Sequence, residues 1–293
     1  MNDINKVLKH LKIKLFADDA LLYIECDNIA EGIEYMNSDL KNIYSWFCAN
    51  KLAVNDKKSN FMVISRKRNV NQENCKINIG ESSIERVSKI KYLGVIIDEK
   101  INMSENLKYV EGKLYKKLAL FRRLGDRLNA QTKINLYKSI VSPHFDYCSS
   151  SHFVLADTSI QVLQKLQNKF MRNILKMKRE TPKQVLLEIL CFMSVRQRLS
   201  FNMIILMFKI EHGLMPEYLK QFMTKVSSKN NYSLRRKSLY NVPNFTKMYT
   251  QDNFFFNGLK LYNDFQSVTD IKSVNRLNLK CLVAKYVKKY VNL

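Results

Sequence analysis

The sequence predicts an α+β fold with strands and one helix in the first hundred residues and mostly helices in the rest. Three observations predict it. Short apolar runs separated by turn residues recur as far as Asp98, and apolar steps of three and four take over from Glu105. The 293 residues hold only 7 Gly and 4 Pro, which favours long helices over a sandwich or barrel.

The elements follow in order. Apolar runs at 13–16 and 20–24 flank Ala17, Asp18 and Asp19, the pattern of a strand, a tight turn with two carboxylates and a second strand. From Ile29 onward, Ile33, Met36, Leu40, Ile43 and Phe47 make one helical stripe that ends near Asn50. A polar stretch, 51–60, leads into a predicted strand at Phe61-Met62-Val63-Ile64. Residues 77–84 read as a hairpin around Gly80, and 90–98 as one further strand.

Helices account for the remainder. Over 105–123, Leu107, Val110, Leu114, Leu118 and Phe121 fall inward, while Lys113, Lys116 and Arg123 fall outward. Over 163–179, Leu163, Leu166, Phe170, Ile174 and Met177 oppose a stripe of Lys165, Lys169, Arg172, Lys176 and Arg179. Each charged face suits either a phosphate backbone or plain solvent. The apolar run 203–208 reads as a buried helix, too short to cross a bilayer. Residues 223–253 are rich in Ser, Asn, Lys and Arg and read as a basic flexible linker. They precede a small helical module at 254–293, whose Phe254-Phe255-Phe256 opening reads as core before base-stacking platform.

Composition narrows the function. With 49 Lys plus Arg against 26 Asp plus Glu, the formal charge is +23, which favours a polyanionic partner through counterion release. Cys26, Cys48, Cys75, Cys148, Cys191 and Cys281 show no C-x-x-C spacing and join no paired histidines. Neither a zinc knuckle nor a disulfide framework is indicated, and an intracellular protein, cytoplasmic or nuclear and not secreted, is expected. The four histidines receive no role. No membrane segment and no stable protein partner are indicated.

Asp18 and Asp19 are the sharpest candidates. Adjacent carboxylates on a hairpin suit a hard cation such as Mg²⁺, and two such ions about 3.5–4 Å apart can clamp the oxygens of a phosphoryl transfer. Such a clamp needs a further carboxylate from another strand. An Asp pair in an exposed turn is also common without a ligand.

The order of pieces resembles the reverse transcriptase of non-LTR retrotransposons, above all the jockey-like elements. Phe16-Ala17-Asp18-Asp19 matches the acidic palm hairpin, Asn55-Asp56-Lys57-Lys58-Ser59 the N-x-x-K-[ST] segment, and Tyr92-Leu93-Gly94 the Y-L-G strand. Looser likenesses follow at Ser142-Pro143-His144-Phe145-Asp146-Tyr147, at 163–172 and at 257–264, where Tyr262 stands in place of a common tryptophan. The resemblance implies a partial polymerase palm at 1–100, made of antiparallel strands plus a helix, and a helical thumb and connection at 101–222. It implies Mg²⁺ at Asp18 and Asp19, Lys58 near the incoming triphosphate, and a primer grip at Tyr92, Leu93 and Gly94. RNA and DNA, as a template-primer duplex, are the implied partners.

The family's fingers, its other metal-binding aspartate strand and its P-Q-G segment have no counterpart in the sequence. Two readings result. One is a truncated RNA-directed DNA polymerase, inactive alone; the other is a non-catalytic nucleic-acid-binding protein derived from the thumb region.

Overall fold

Asn28 begins the longest element of the N-terminal part. Its side chain accepts the Ala30 N–H, satisfying an orphan donor of the first turn, and helix α1 runs Ile29–Ala49. All five predicted stripe residues are buried or half-buried, with Leu40 and Ile43 in a cluster that includes Ile4, Ile77 and Ile79. The computed structural model describes residues 3–65, 75–155, 157–225, 239–242, 254–269 and 276–291. It divides into two units, Met1–Ile101 and Asn102–Leu293.

In the first unit, strands β1 (Lys12–Phe16) and β2 (Asp19–Tyr23) pair antiparallel from Lys12↔Tyr23 to Phe16↔Asp19. Strand β3 is only Asn60–Phe61, followed by β4 (Ile77–Ile79), β5 (Ser82–Arg86), β6 (Lys89–Tyr92) and β7 (Val95–Asp98). The β4–β5 hairpin turns at Gly80, where φ is +58 and an added Cβ would lie 2.7 Å from the Tyr44 ring. Glycine is required there on both counts.

Two strand expectations are corrected. The predicted strand at 61–64 shrinks because β5 ends at Arg86, opposite Phe61, so residues 62–64 have no ladder to join. The single strand expected over 90–98 is a hairpin, since Leu93 (φ 45) and Gly94 (φ 82) both turn left-handed, as a two-residue hairpin loop demands. Among the described residues the strands make three separate small sheets. One of them contains the parallel pair β3–β5, where only antiparallel strands were expected.

The second unit is helical. Helix α2 (Ser104–Leu124) buries Leu107, Val110, Leu114, Leu118 and Phe121, the predicted inward set, and stops at Gly125 (φ 42). Helix α3 (Ala130–Leu136) continues through a π-helical stretch, Tyr137–Val141, into α4 (Ser142–Asp146). Helix α5 (Asp157–Leu175) packs on α2, with the Phe121 and Phe170 rings edge to face at 5.1 Å.

Helices α6 (Lys183–Leu190) and α7 (Val195–Glu211) follow, the latter opened by a capping box between Ser194 and Gln197. Helix α7 is buried on nearly every side, including Met203, Ile204, Met207 and Phe208 of the predicted apolar run. No single described helix is long and apolar enough to cross a membrane. Helices α8 (Phe254–Val268) and α9 (Arg276–Tyr290) share one apolar cluster with α7, and Phe254 and Phe255 pack against it.

Most of the expected linker, 226–238 and 243–253, lies outside the described residues. Tyr240, within that range, is 2% exposed. It exchanges backbone hydrogen bonds with the Asn263 side chain at 3.0 and 2.9 Å. Its hydroxyl and that of Tyr262 both donate to the Glu211 carboxylate, and burial, reinforced by that carboxylate, raises both phenols above their ordinary value.

Candidate metal site and nucleic-acid surface

The β1–β2 loop is two residues long, with Ala17 at φ 52 and Asp18 beside it; Asp19 is already the first residue of β2, opposite Phe16. Both carboxylates are exposed, and so is Phe16, at 61%. Two carboxylates open to water fit a hard cation that keeps most of its aqua ligands. Among the described residues no group of three or more His, Cys, Asp or Glu comes together to hold a metal, so the pair is not joined by a third ligand.

Lys58 is exposed at the end of a short 3₁₀ turn, Asp56–Lys58. The Asn55 side chain accepts the Lys58 N–H at 3.2 Å, and its carbonyl accepts the Ser59 hydroxyl at 3.0 Å. The Ser82 hydroxyl, 2.6 Å from Asp56, holds that carboxyl below its usual range, helped by the Lys57 N–H. Asn55, Asp56 and Ser59 thus fold the loop and tie it to β5, leaving the Lys58 amine free of that work. Tyr92, Leu93 and Gly94 form the corner of the β6–β7 hairpin and not the middle of a strand.

The cationic residues predicted for nucleic acid all lie in the second unit. This unit carries 33 Lys plus Arg against 12 Asp plus Glu, whereas residues 1–101 carry 16 against 14. On α2, Lys116 and Arg123 are exposed, and the Lys113 amine sits 4.2 Å over the Tyr109 ring. Partial burial lowers the His144 pKa, and Lys117 and Lys113 lower it further, which marks a field of positive charge on that flank.

On α5, Lys165 and Lys169 are exposed, and the Lys169 amine donates to the Tyr115 hydroxyl at 3.3 Å while lying 4.9 Å over its ring. The predicted five-cation stripe is shorter than expected. Helix α5 ends at Leu175, Lys176 turns left-handed (φ 55), and Arg179 lies beyond in an exposed turn. The Arg172 guanidinium is engaged with the Thr181 carbonyl at 3.0 Å. Lys133, 2% exposed, reaches the Asn173 carbonyl from α3, and so meets one of the orphan carbonyls of the last turn.

Sequence reasoning missed Tyr115, Lys117 and His144 on this surface. Tyr115 and Lys169 are 54 residues apart, a pairing that no local spacing signals.

Part of the chain is 27% identical over 166 residues to a probable RNA-directed DNA polymerase from transposon X-element of Drosophila melanogaster, covering 54% of this chain and 18% of that protein. It is similar to mobile-element polymerases. A retrovirus-related Pol polyprotein from type-1 retrotransposable element R1 4 of Nasonia vitripennis is 24% identical over 184 residues, 57% of this chain and 47% of the relative. An RNA-directed DNA polymerase from mobile element jockey of Drosophila funebris is 22% identical over 165 residues, 55% and 18% of the two chains. The chain thus spans less than half the length of each of these curated relatives. No protein-family model matches it, and no solved structure does.

Proposed function

We propose that the chain is part of a non-LTR, jockey-like retrotransposon reverse transcriptase. In this reading the hairpin carrying Asp18 and Asp19 supplies one wall of a Mg²⁺ site for template-directed nucleotide addition. The basic second unit holds the RNA–DNA duplex. The carrying observation is the Phe16-Ala17-Asp18-Asp19 hairpin itself, an exposed acidic turn in a chain similar to three mobile-element polymerases.

Mg²⁺ bound there would neutralise charge that builds on the transferred phosphate. The chain's own parts are the two carboxylates as ligands, the Lys58 amine as a cation for the leaving pyrophosphate, and the Leu93-Gly94 corner as a close backbone approach to a primer. Because the carboxylate pair has no third ligand among the described residues, the chain by itself is inactive in this reading.

The test fuses the fingers and the remaining palm of a relative ahead of residue 1. The unfused chain should incorporate no nucleotide with Mg²⁺, and the fusion should. In the fusion, Asp18→Asn should abolish incorporation, whereas Lys58→Ala should slow turnover and leave duplex binding unchanged. Incorporation by the unfused chain, or a fusion indifferent to Asp18→Asn, would overturn the reading.

A further inference from the structure

Asp39 lies on α1, is fully buried, and is the acidic residue that the apolar stripe of that helix does not explain. One of its oxygens, Oδ2, accepts three consecutive backbone N–H groups, from Lys9 at 3.0 Å, His10 at 2.8 Å and Leu11 at 2.9 Å. Three amides converging on one carboxylate oxygen form a nest, and hydrogen bonds to an ionised acceptor are about twice as strong as neutral ones. The segment so held ends at Leu11, itself buried, and the next residue, Lys12, begins β1.

A second contact fixes the same place. The His10 ring stacks on Tyr35 of α1 at 4.2 Å, and the Tyr35 hydroxyl donates to Glu31 one turn earlier at 2.6 Å. At the other end of the hairpin, β2 runs through residues 24–27 to Asn28, the cap of α1. Helix α1 is therefore tied to both feet of the β1–β2 hairpin, to that of β1 through Asp39 and Tyr35 and to that of β2 through the chain itself. Among the described residues β1 and β2 pair only with each other, so no neighbouring strand fixes the tip, and the hairpin is held near its feet, where Ile13 and Leu22 also pack against the cluster of Leu40 and Ile43.

We infer that Asp39 is a positioning residue for the Asp18–Asp19 site, a buried carboxylate that sets where the acidic turn stands by clamping the start of β1. The inference rests on the metal reading above. It assigns Asp39 no contact with the metal.

The test uses the whole 293-residue chain and two measurements on wild type, Asp39→Ala and the near-isosteric Asp39→Asn. Amide hydrogen exchange at residues 9–11 and along the β1–β2 ladder reports the clamp. Mn²⁺ alone, as a paramagnetic probe, reports the site through broadening of the amides at 17–20. In Asp39→Ala, exchange at 9–11 and in the ladder should rise about tenfold or more, as the loss of three hydrogen bonds to a charged group requires. Mn²⁺ affinity at the tip should fall by a similar factor, while α2 and α5 keep their exchange rates. Asp39→Asn, which keeps one acceptor oxygen without the charge, should lie between on both measurements.

Unchanged exchange at 9–11 in both variants would overturn the clamp. Faster exchange with undiminished Mn²⁺ broadening would overturn the positioning role and leave the metal reading standing. Absence of broadening at 17–20 in the wild-type chain would overturn the metal reading, and the positioning role with it, even where exchange still responds to Asp39. Should Asp39→Ala fail to fold, Asp39→Asn carries the same decision.

Discussion

At the scale of single residues, several polar side chains hold the fold in ways that the sequence does not display. His152 is 1% exposed with neither ring nitrogen hydrogen-bonded, and burial lowers its pKa from the ordinary 6.5. The unfolded chain therefore takes up a proton near pH 6.5 while the folded chain does not. Stability from this group is complete above that pH and is lost as pH falls below it. Unfolding free energies from denaturant titrations between about pH 7 and pH 5 should drop steadily in wild type, by as much as about 1.4 kcal/mol per pH unit where one proton separates the two states. In His152→Leu the drop should be shallower, with only the share from His144, lowered in the same direction, and from other groups remaining. An equal slope in both proteins would remove His152 from the account. A histidine beside Phe153 in a Ser-rich stretch gives no sign of burial in sequence. Asp39 was passed over as well, although it stands three residues after Met36 and four before Ile43, on the apolar face of α1, where a carboxylate needs a partner.

At the scale of elements, periodicity found the long helices, placed the ends of α1 and α2 to within a residue, and misjudged those of α5. The inward faces of α1 and α2 were readable because apolar residues repeat every three or four positions and core burial selects for that repeat. The end of α5 was not, because apolar and basic spacing continues through Met177 and Arg179 although the backbone turns at Lys176. What ends it is tertiary, with Arg172 on the Thr181 carbonyl and Lys133 of α3 on that of Asn173. The Leu93-Gly94 corner was missed for a related reason: Ile90 to Asp98 is apolar enough to pass as one strand, and only Gly94 hints at the turn. The shortened stripe changes the mutational expectation. Reversing Lys165 and Lys169 to Glu should weaken duplex binding, and the slope of log affinity against log salt should fall by about 0.9 for each phosphate that is no longer neutralised. Arg172→Glu should instead lower stability, because it removes the hold on Thr181 and brings negative charge to a helix C-terminus. Binding that stays constant after reversal of both lysines would return this face to plain solvation.

At the scale of the whole molecule, the two units divide the chemistry. The candidate metal ligands, Lys58 and the Leu93-Gly94 corner all fall in residues 1–101, where charge nearly balances at 16 basic against 14 acidic residues. Residues 102–293 hold 33 against 12, so +21 of the formal +23 resides there. The division into units falls after Ile101, close to where strand spacing in the sequence gives way to helix spacing. On the proposed reading the charge partition has a reason, since a surface for a polyanion concentrates cations while a site built on carboxylates cannot. Expressed separately, residues 102–293 should therefore bind RNA–DNA duplex with nearly the affinity and salt slope of the whole chain, and residues 1–101 should show no salt-dependent binding. The second unit has the means to stand alone, since α7, α8 and α9 enclose one apolar cluster and α2 and α5 pack through Phe121 and Phe170. Filter binding at several salt concentrations decides the matter: binding confined to residues 1–101, or requiring both pieces at once, would show that the positive charge of the second unit is not the surface that holds nucleic acid.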